Sequence, residues 1–367
     1  MNTFSLKPGS LRFISPRRII AVLISYPLFA LLFISNHFFL LLDEIFFFPY
    51  RKLQVKKAVF IIGVPRSATT FLFKVLLEDR INFHGFKMWE LVFAPSIIQK
   101  YFFLGLIWLD RKCGCFLLRL SRFLDKIIFG DFRNIHEMGL SKPEEDEVLF
   151  LYNFSSLYLY YFFPGLKILD KFLYHDTQVP EKVKKRNINF YFRCIQRHNY
   201  VFDRKEKAFF LSKNPTFIPR FDSIVKKFPG AYIIYPLRSP YETIPSTISL
   251  NSNIFSNFCR LPEKNPLKED TTEFMVNWYI HASSILSGPA SGKSIIVRFE
   301  KIREEPAEVF LNIYEFLGMS IRKDRYEKIV KEYGKGKYRS KHRYEAIQVN
   351  RDYIRDRLKG IVPDELL

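Results

Sequence analysis

The chain has 367 residues, 48% of them hydrophobic, and 57 Lys plus Arg against 37 Asp plus Glu, a formal net charge of +20. Four cysteines exclude a disulfide-stapled secreted scaffold, and 15 Gly with 20 Pro in so apolar a chain exclude collagen-like and low-complexity disordered classes. The length suits one large α/β domain with appendages, or two domains. The positive charge calls for an anionic partner: a nucleotide, a membrane surface, an acidic glycan or nucleic acid. No C2H2 spacing and no aromatic motif of RNA-binding sheets is present, so nucleic acid is not expected.

The first predicted element is the uncharged run Ile19 to Leu42, 24 residues, enough for a helix across a ~30 Å hydrocarbon core. Lys7, Arg12, Arg17 and Arg18 precede it, and no small-residue cleavage site follows. It reads as a membrane helix, spanning the bilayer or embedded in it; a buried helix packed on the domain is the other reading. A linker is expected from Asp43 to Lys57, which divides the chain into a hydrophobic segment, residues 1–50, and a catalytic domain, residues 51–367.

Ala58–Gly63 (AVFIIG) is short, apolar and β-branched, as a buried strand of a parallel sheet is. A loop over Gly63 to Ser67 should lead into a helix from about Ala68 to Arg80. Residues 96–130 are helical and amphipathic, with Lys100, Arg111, Lys112, Arg119, Arg122 and Lys126 among Phe, Leu and Ile. That helix pair fits a membrane surface, or the domain core with snorkelling cations. The acidic run Pro143 to Glu147 should open a further helix. Residues 206–212, 231–237 and 294–299 read as strands, and 305–317 as a helix stopped by Gly318. Such alternation implies a parallel β-sheet flanked by helices.

The segment Val59 to Leu72 carries the most information. A strand ends, a tight turn brings Arg66 and Ser67, and a helix opens with Thr69 and Thr70. A helix N-terminus offers unpaired N–H groups and a partial positive charge, an anion site. The alternative is an ordinary helix cap by Ser67. The Walker A pattern is absent, which weakens an ATPase or kinase of that class. The segment resembles the 5′-phosphosulfate loop of sulfotransferases, P-[RK]-[SA]-G-T-T-x-L, with Ala68 where Gly is usual. Because Ala adds only a methyl and favours helices, a slightly tighter, working loop is expected.

The stretch Tyr232 to Ser246 resembles the family's second signature, an Arg at a strand end and a Ser eight residues on. Arg238 and Ser246 match this 3′-phosphate pair; a guanidinium forks onto phosphate oxygens and the hydroxyl adds a donor. Leu211 to Pro215, Lys227 to Ala231, Arg298 to Glu300, Glu315 to Gly318 and Pro143 to Asp146 also look like the large bacterial-type branch, over about residues 57 to 350. The resemblance implies a P-loop-like fold and 3′-phosphoadenosine-5′-phosphosulfate (PAPS) as co-substrate. It implies sulfuryl transfer to a hydroxyl or amine of a lipid, glycan or other acceptor, with no metal. The alternatives are a nucleotide-binding enzyme of another class, such as a kinase, or an inactive nucleotide-binding relative.

The resemblance further implies cofactor contacts from Arg66, Ser67, Ala68, Thr69, Thr70, Arg238 and Ser246, with Arg66 on the leaving phosphate. Glu90 lies in the zone where several branches keep the general base; His136 is the rival, and Glu144, Glu145 or Glu147 a third choice. An ion pair with an arginine at the core edge is the other reading of Glu90. Lys213 and Glu145 are expected beside the sulfate or acceptor. The basic tail, with Lys337, Arg339 and Ser340, is expected over the nucleotide. A bacterial-type composition favours an inner-membrane protein with its domain facing the cytoplasm; the other placement is a Golgi membrane.

Overall fold

The computed structural model describes residues 16–129, 139–163, 166–258, 267–334 and 347–367. Five parallel strands, β1 (Ala58–Ile61), β2 (Phe83–His84), β3 (Phe209–Lys213), β4 (Tyr232–Leu237) and β5 (Ser294–Arg298), form one sheet in the order β2-β3-β1-β4-β5. Strand β1 is central and buried throughout. Alternate residues serve opposite faces, as a period of two requires. Phe60, Phe210, Ile233 and Tyr235 join a core with Tyr191, Phe217 and Trp278, while Val59, Ile61, Leu211 and Ile234 join another with Leu72, Phe73 and Phe310. Because all five strands run the same way, the loops after β1, β3 and β4 open on one edge of the sheet, where ligands of such folds bind.

Helices α1 (Pro16–Phe46), α2 (Thr69–Leu77), α3 (Met88–Phe93), α4 (Ile97–Lys112) and α5 (Phe116–Phe129) occupy the first third of the chain. Helix α1 is longer than the apolar run and takes in Asp43 to Phe46, so the expected linker starts later. It is long and apolar enough to cross a membrane, by length and composition. The expected helix pair over 96–130 is present as a hairpin of α4 and α5. Gly114 and Cys115 have φ of 88° and 60° and separate the two helices, and the Asp110 carboxylate accepts hydrogen bonds from the Leu117 and Leu118 amides to cap α5. Lys100 does not snorkel. Its ammonium is buried and donates to the Ala94 and Pro95 carbonyls, because Glu90 and Asp43 lie beneath the start of α4.

The acidic run leads into a 3-10 helix, Asp146–Asn153, rather than an α-helix. Its carboxylates are spent on tertiary partners instead of a helix terminus. The helix Pro306–Phe316 is stopped as expected: Gly318 has φ of 71°, and its amide and that of Met319 bond back to Glu315 and Tyr314.

Candidate active site

The loop between β1 and α2 is shaped by short-range contacts. Gly63 is required by space: a Cβ there would sit 2.8 Å from both Pro236 Cγ and Ser67 Oγ. The buried Ser67 hydroxyl donates to the Val64 carbonyl at 2.7 Å, so it closes the turn. Arg66 and Ala68 take left-handed backbone, with φ of 70° and 73°. Ala68 is the N-cap of α2. Its departure from the Gly pattern therefore matters through backbone strain, since a left-handed residue with a Cβ costs about 1–2 kcal/mol. Helix propensity, the expected reason for tolerance, does not apply to a residue outside the helical region.

The second signature folds onto the first. Arg66 Nε donates to Ser246 Oγ at 3.0 Å, and Arg238 Nη1 donates to the Arg66 carbonyl at 2.8 Å. Arg238 is buried, its Nε 2.6 Å from Glu242 and its guanidinium 4.0 Å from the centre of the Phe299 ring. The Tyr279 hydroxyl donates to the Arg238 carbonyl at 2.7 Å, which fixes the end of β4. Residues from the ends of β1, β4 and the following helix Pro240–Phe258 thus share one cluster.

On the other side, the end of β3 delivers Lys213. Its buried ammonium lies 2.6 Å from Glu145 Oε1 and 3.3 Å from the Thr70 hydroxyl, on the first turn of α2. Tyr158 donates to Glu145 Oε2 at 2.7 Å. Burial, then the Glu145 charge, raises the Tyr158 phenol well above its usual value, so it remains a donor. The acidic run explains itself here. Asp146 accepts from Ser212 at 2.7 Å and from Tyr191; Glu147 accepts from Arg220, Asn214 and Thr216. Asp146 is pushed up to about 7, chiefly by burial, which its hydrogen bonds from Tyr191 and Ser212 only partly offset.

Glu90 lies on α3, past the two-residue β2. It is 1% exposed, and its oxygens meet His198 Nδ1 at 2.7 Å, the Lys87 amide at 3.2 Å and the Lys100 ammonium at 4.0 Å. Burial raises its pKa, but the charge and hydrogen bond of His198, with Lys100, outweigh this and hold the carboxyl below its usual range. Its partners are the Lys100 ammonium, at ion-pair distance, and the hydrogen-bonded His198 ring, rather than an arginine. His136, Lys337, Arg339 and Ser340 lie outside the described residues.

The structure therefore gathers Arg66, Thr70, Arg238, Ser246, Lys213 and Glu145 at one sheet edge. Tyr158, Glu242 and Phe299 were missed in the sequence. Glu242 was findable, four residues past Arg238 at the start of a helix; Phe299 lies inside the family-like stretch Arg298 to Glu300 but had no role assigned to it, and nothing local marks Tyr158. Cations and hydroxyls around a helix N-terminus fit a nucleotide bearing phosphates at two positions. Among the described residues no three His, Cys, Asp or Glu gather to hold a metal.

A family model for the sulfotransferase family matches residues 58–323. Two curated relatives, omega-hydroxy-beta-dihydromenaquinone-9 sulfotransferase Stf3 of Mycobacterium bovis and of Mycobacterium tuberculosis, are 26% identical over 266 residues, which is 71% of this chain and 62% of theirs. The chain thus spans less than two thirds of their length. Among solved structures, sulfotransferase STF9 of Mycobacterium avium superposes with a TM-score of 0.64 at 16% identity, covering 85% of this chain and 77% of that one. Sulfotransferase STF1 of Mycobacterium tuberculosis gives 0.59 at 14% identity, covering 85% and 79%.

Proposed function

The chain belongs to the sulfotransferase family, and we propose that it transfers a sulfuryl group from PAPS to a hydroxyl carried by a membrane lipid. The observation that carries this reading is the junction of the two phosphate signatures: Arg66, Ser246 and Arg238 bond to one another from opposite halves of the chain. We take residues 51–367 as the catalytic domain. The relatives named for a hydroxylated dihydromenaquinone favour a lipid over a glycan as acceptor class. The donor supplies the sulfuryl group and a phosphate leaving group.

In this reading Arg66 and the first-turn N–H groups of α2 receive the negative charge that develops on the leaving phosphate oxygen. Arg238 and Ser246 hold the remote 3′-phosphate. Glu145 accepts the proton of the attacking hydroxyl, held in place by Tyr158 and Lys213. Lys213 reaches both Glu145 and Thr70, so it couples the base to the phosphate loop. As the acceptor's O–S bond forms in line, the bond to the leaving phosphate breaks, and positioning with charge stabilisation supplies the rate. Glu145 is preferred to Glu90 because it is partly exposed and its partner Lys213 also reaches Thr70 of the phosphate loop, whereas Glu90 is fully buried with His198 and Lys100.

We place the domain on the side of the membrane where the donor is made, the cytoplasm in a bacterial cell. Purified protein, sulfur-labelled PAPS and fractionated lipid and glycan extracts test the whole reading. Label should enter the lipid fraction. Label only in glycans would overturn the acceptor class, and bound nucleotide with no acceptor labelled would overturn the transfer activity.

A further inference from the structure

Helix α1 presents two unlike faces along its length. One face, Tyr26, Phe29, Phe33, Asn36, Leu40 and Asp43, recurs at helical spacing and is turned to the domain. Tyr26 stacks on Phe163, Phe29 on Tyr152, and Phe33 packs on Phe154. Asn36 donates to the Val92 carbonyl at 3.0 Å and accepts from Gln99 at 2.6 Å. Asp43 accepts from the Ile97 and Ile98 amides and pairs with Arg197 at 2.9 Å. From Tyr26 to Asp43 this docked stripe runs about 25 Å at 1.5 Å per residue. The opposite face, Leu28, Leu31, Ile34, Phe38, Leu41 and Ile45, is exposed and apolar.

The hairpin beside it is exposed in the same way. Tyr101, Phe102, Ile107 and Trp108 of α4 and Phe116, Leu117, Leu120 and Phe123 of α5 all stand open. Arg111, Lys112 and Arg119 are exposed among them, and the Lys112 ammonium sits 4.0 Å over the Trp108 ring. Apolar rings bordered by cations and by Trp and Tyr match the boundary of an anionic bilayer.

We propose that α1 and the α4–α5 hairpin form a seat embedded in one leaflet of an anionic membrane, with α1 lying in the membrane plane instead of crossing it. A crossing helix is surrounded by lipid or by other elements at membrane depth. Here the docked stripe would carry the 3-10 helix Asp146–Asn153 and the buried Asp43–Arg197 pair into the hydrocarbon. Irregular backbone and paired charges are costly there. An in-plane helix sinks only its outer face and leaves the polar ties in the protein. The seat does not depend on the chemistry proposed above.

The test uses the full chain with a tag at each terminus. In sealed right-side-out and inverted membrane vesicles, added protease should reach both tags from the same side. Purified protein should bind phosphatidylglycerol-containing vesicles better than phosphatidylcholine vesicles. Leu31→Glu with Leu41→Glu should cut that binding about tenfold or more while near-ultraviolet circular dichroism is unchanged. Tags on opposite sides, binding by the double variant equal to the parent, or a stable soluble dimer that ignores vesicles would each overturn the proposal.

Discussion

The side chains of Arg66 and Ser246, 180 residues apart in the chain, meet at 3.0 Å. This one bond ties the loop after β1 to the helix after β4, so losing either partner should disturb both phosphate positions. Arg66→Ala should leave the fold intact and lower turnover about 10²–10³-fold, the range for losing one transition-state donor. Steady-state kinetics with a labelled donor checks it; unchanged kcat would remove Arg66 from the leaving-phosphate role.

Arg238→Ala should act on binding more than on chemistry, because the 3′-phosphate is remote from the transferred group. Calorimetry with adenosine 3′,5′-bisphosphate should show weaker affinity, by roughly tenfold or more for a lost charged hydrogen-bond donor. Equal affinity would sink the second phosphate site.

Ala68→Gly should stabilise the protein. The residue sits at φ of 73°, where glycine pays no Cβ penalty. Part of the gain is lost with the buried methyl, so about 0.5–1 kcal/mol is expected. Urea denaturation of the two proteins measures it, and a less stable glycine variant would show that the methyl's packing outweighs the strain.

Glu145→Gln and Glu90→Gln should fail differently. The first should keep nucleotide affinity and fold and lose about 10²–10⁴-fold in kcat. The second takes from the buried Lys100 its counter-charge and alters the hydrogen bond to His198, so it should unfold more easily, by about 3–5 kcal/mol. A Glu90→Gln protein with normal stability and no turnover would return the base to Glu90.

Asp146 supplies a pH test. Its carboxyl rises from 3.8 to about 7 in the fold, chiefly through burial. Between those values the folded protein binds more protons than the unfolded chain, so this group's contribution to stability falls as pH rises from about 4 to 7. Asp146→Asn removes that slope. Relative to the parent it should gain stability above pH 7, by an amount on the order of a few kcal/mol, and gain less at pH 5. Parallel melting-temperature profiles for the two proteins would refute this.

Local pattern was enough for the parts of this protein that are written in contiguous residues. The strand–turn–helix at Val59 to Leu72 declares itself because a buried strand, a cation and a row of hydroxyls stand next to one another in the chain. Arg238 and Ser246 were legible for the same reason, each keyed to its own strand and helix. Gly318 announced a helix end because a left-handed stop is a one-residue requirement.

What the chain order hides was decided by packing. Pro143 to Glu147 looks like the acidic start of a helix, yet the fold gives Glu145 to Lys213, Asp146 to Ser212 and Glu147 to Arg220, partners 66 to 73 residues away. Glu90 stands where a base was expected, and the approach of His198 on the helix Glu181–Phe202 and of Lys100 on α4 makes it a buried, paired group. The apolar run Ile19 to Leu42 has the length of a crossing helix. Its docked face and buried Asp43 become visible once α3 and α4 are folded against it. Periodicity along one chain reports which face is apolar, whereas the depth of a charge and the identity of its partner are properties of long-range contacts.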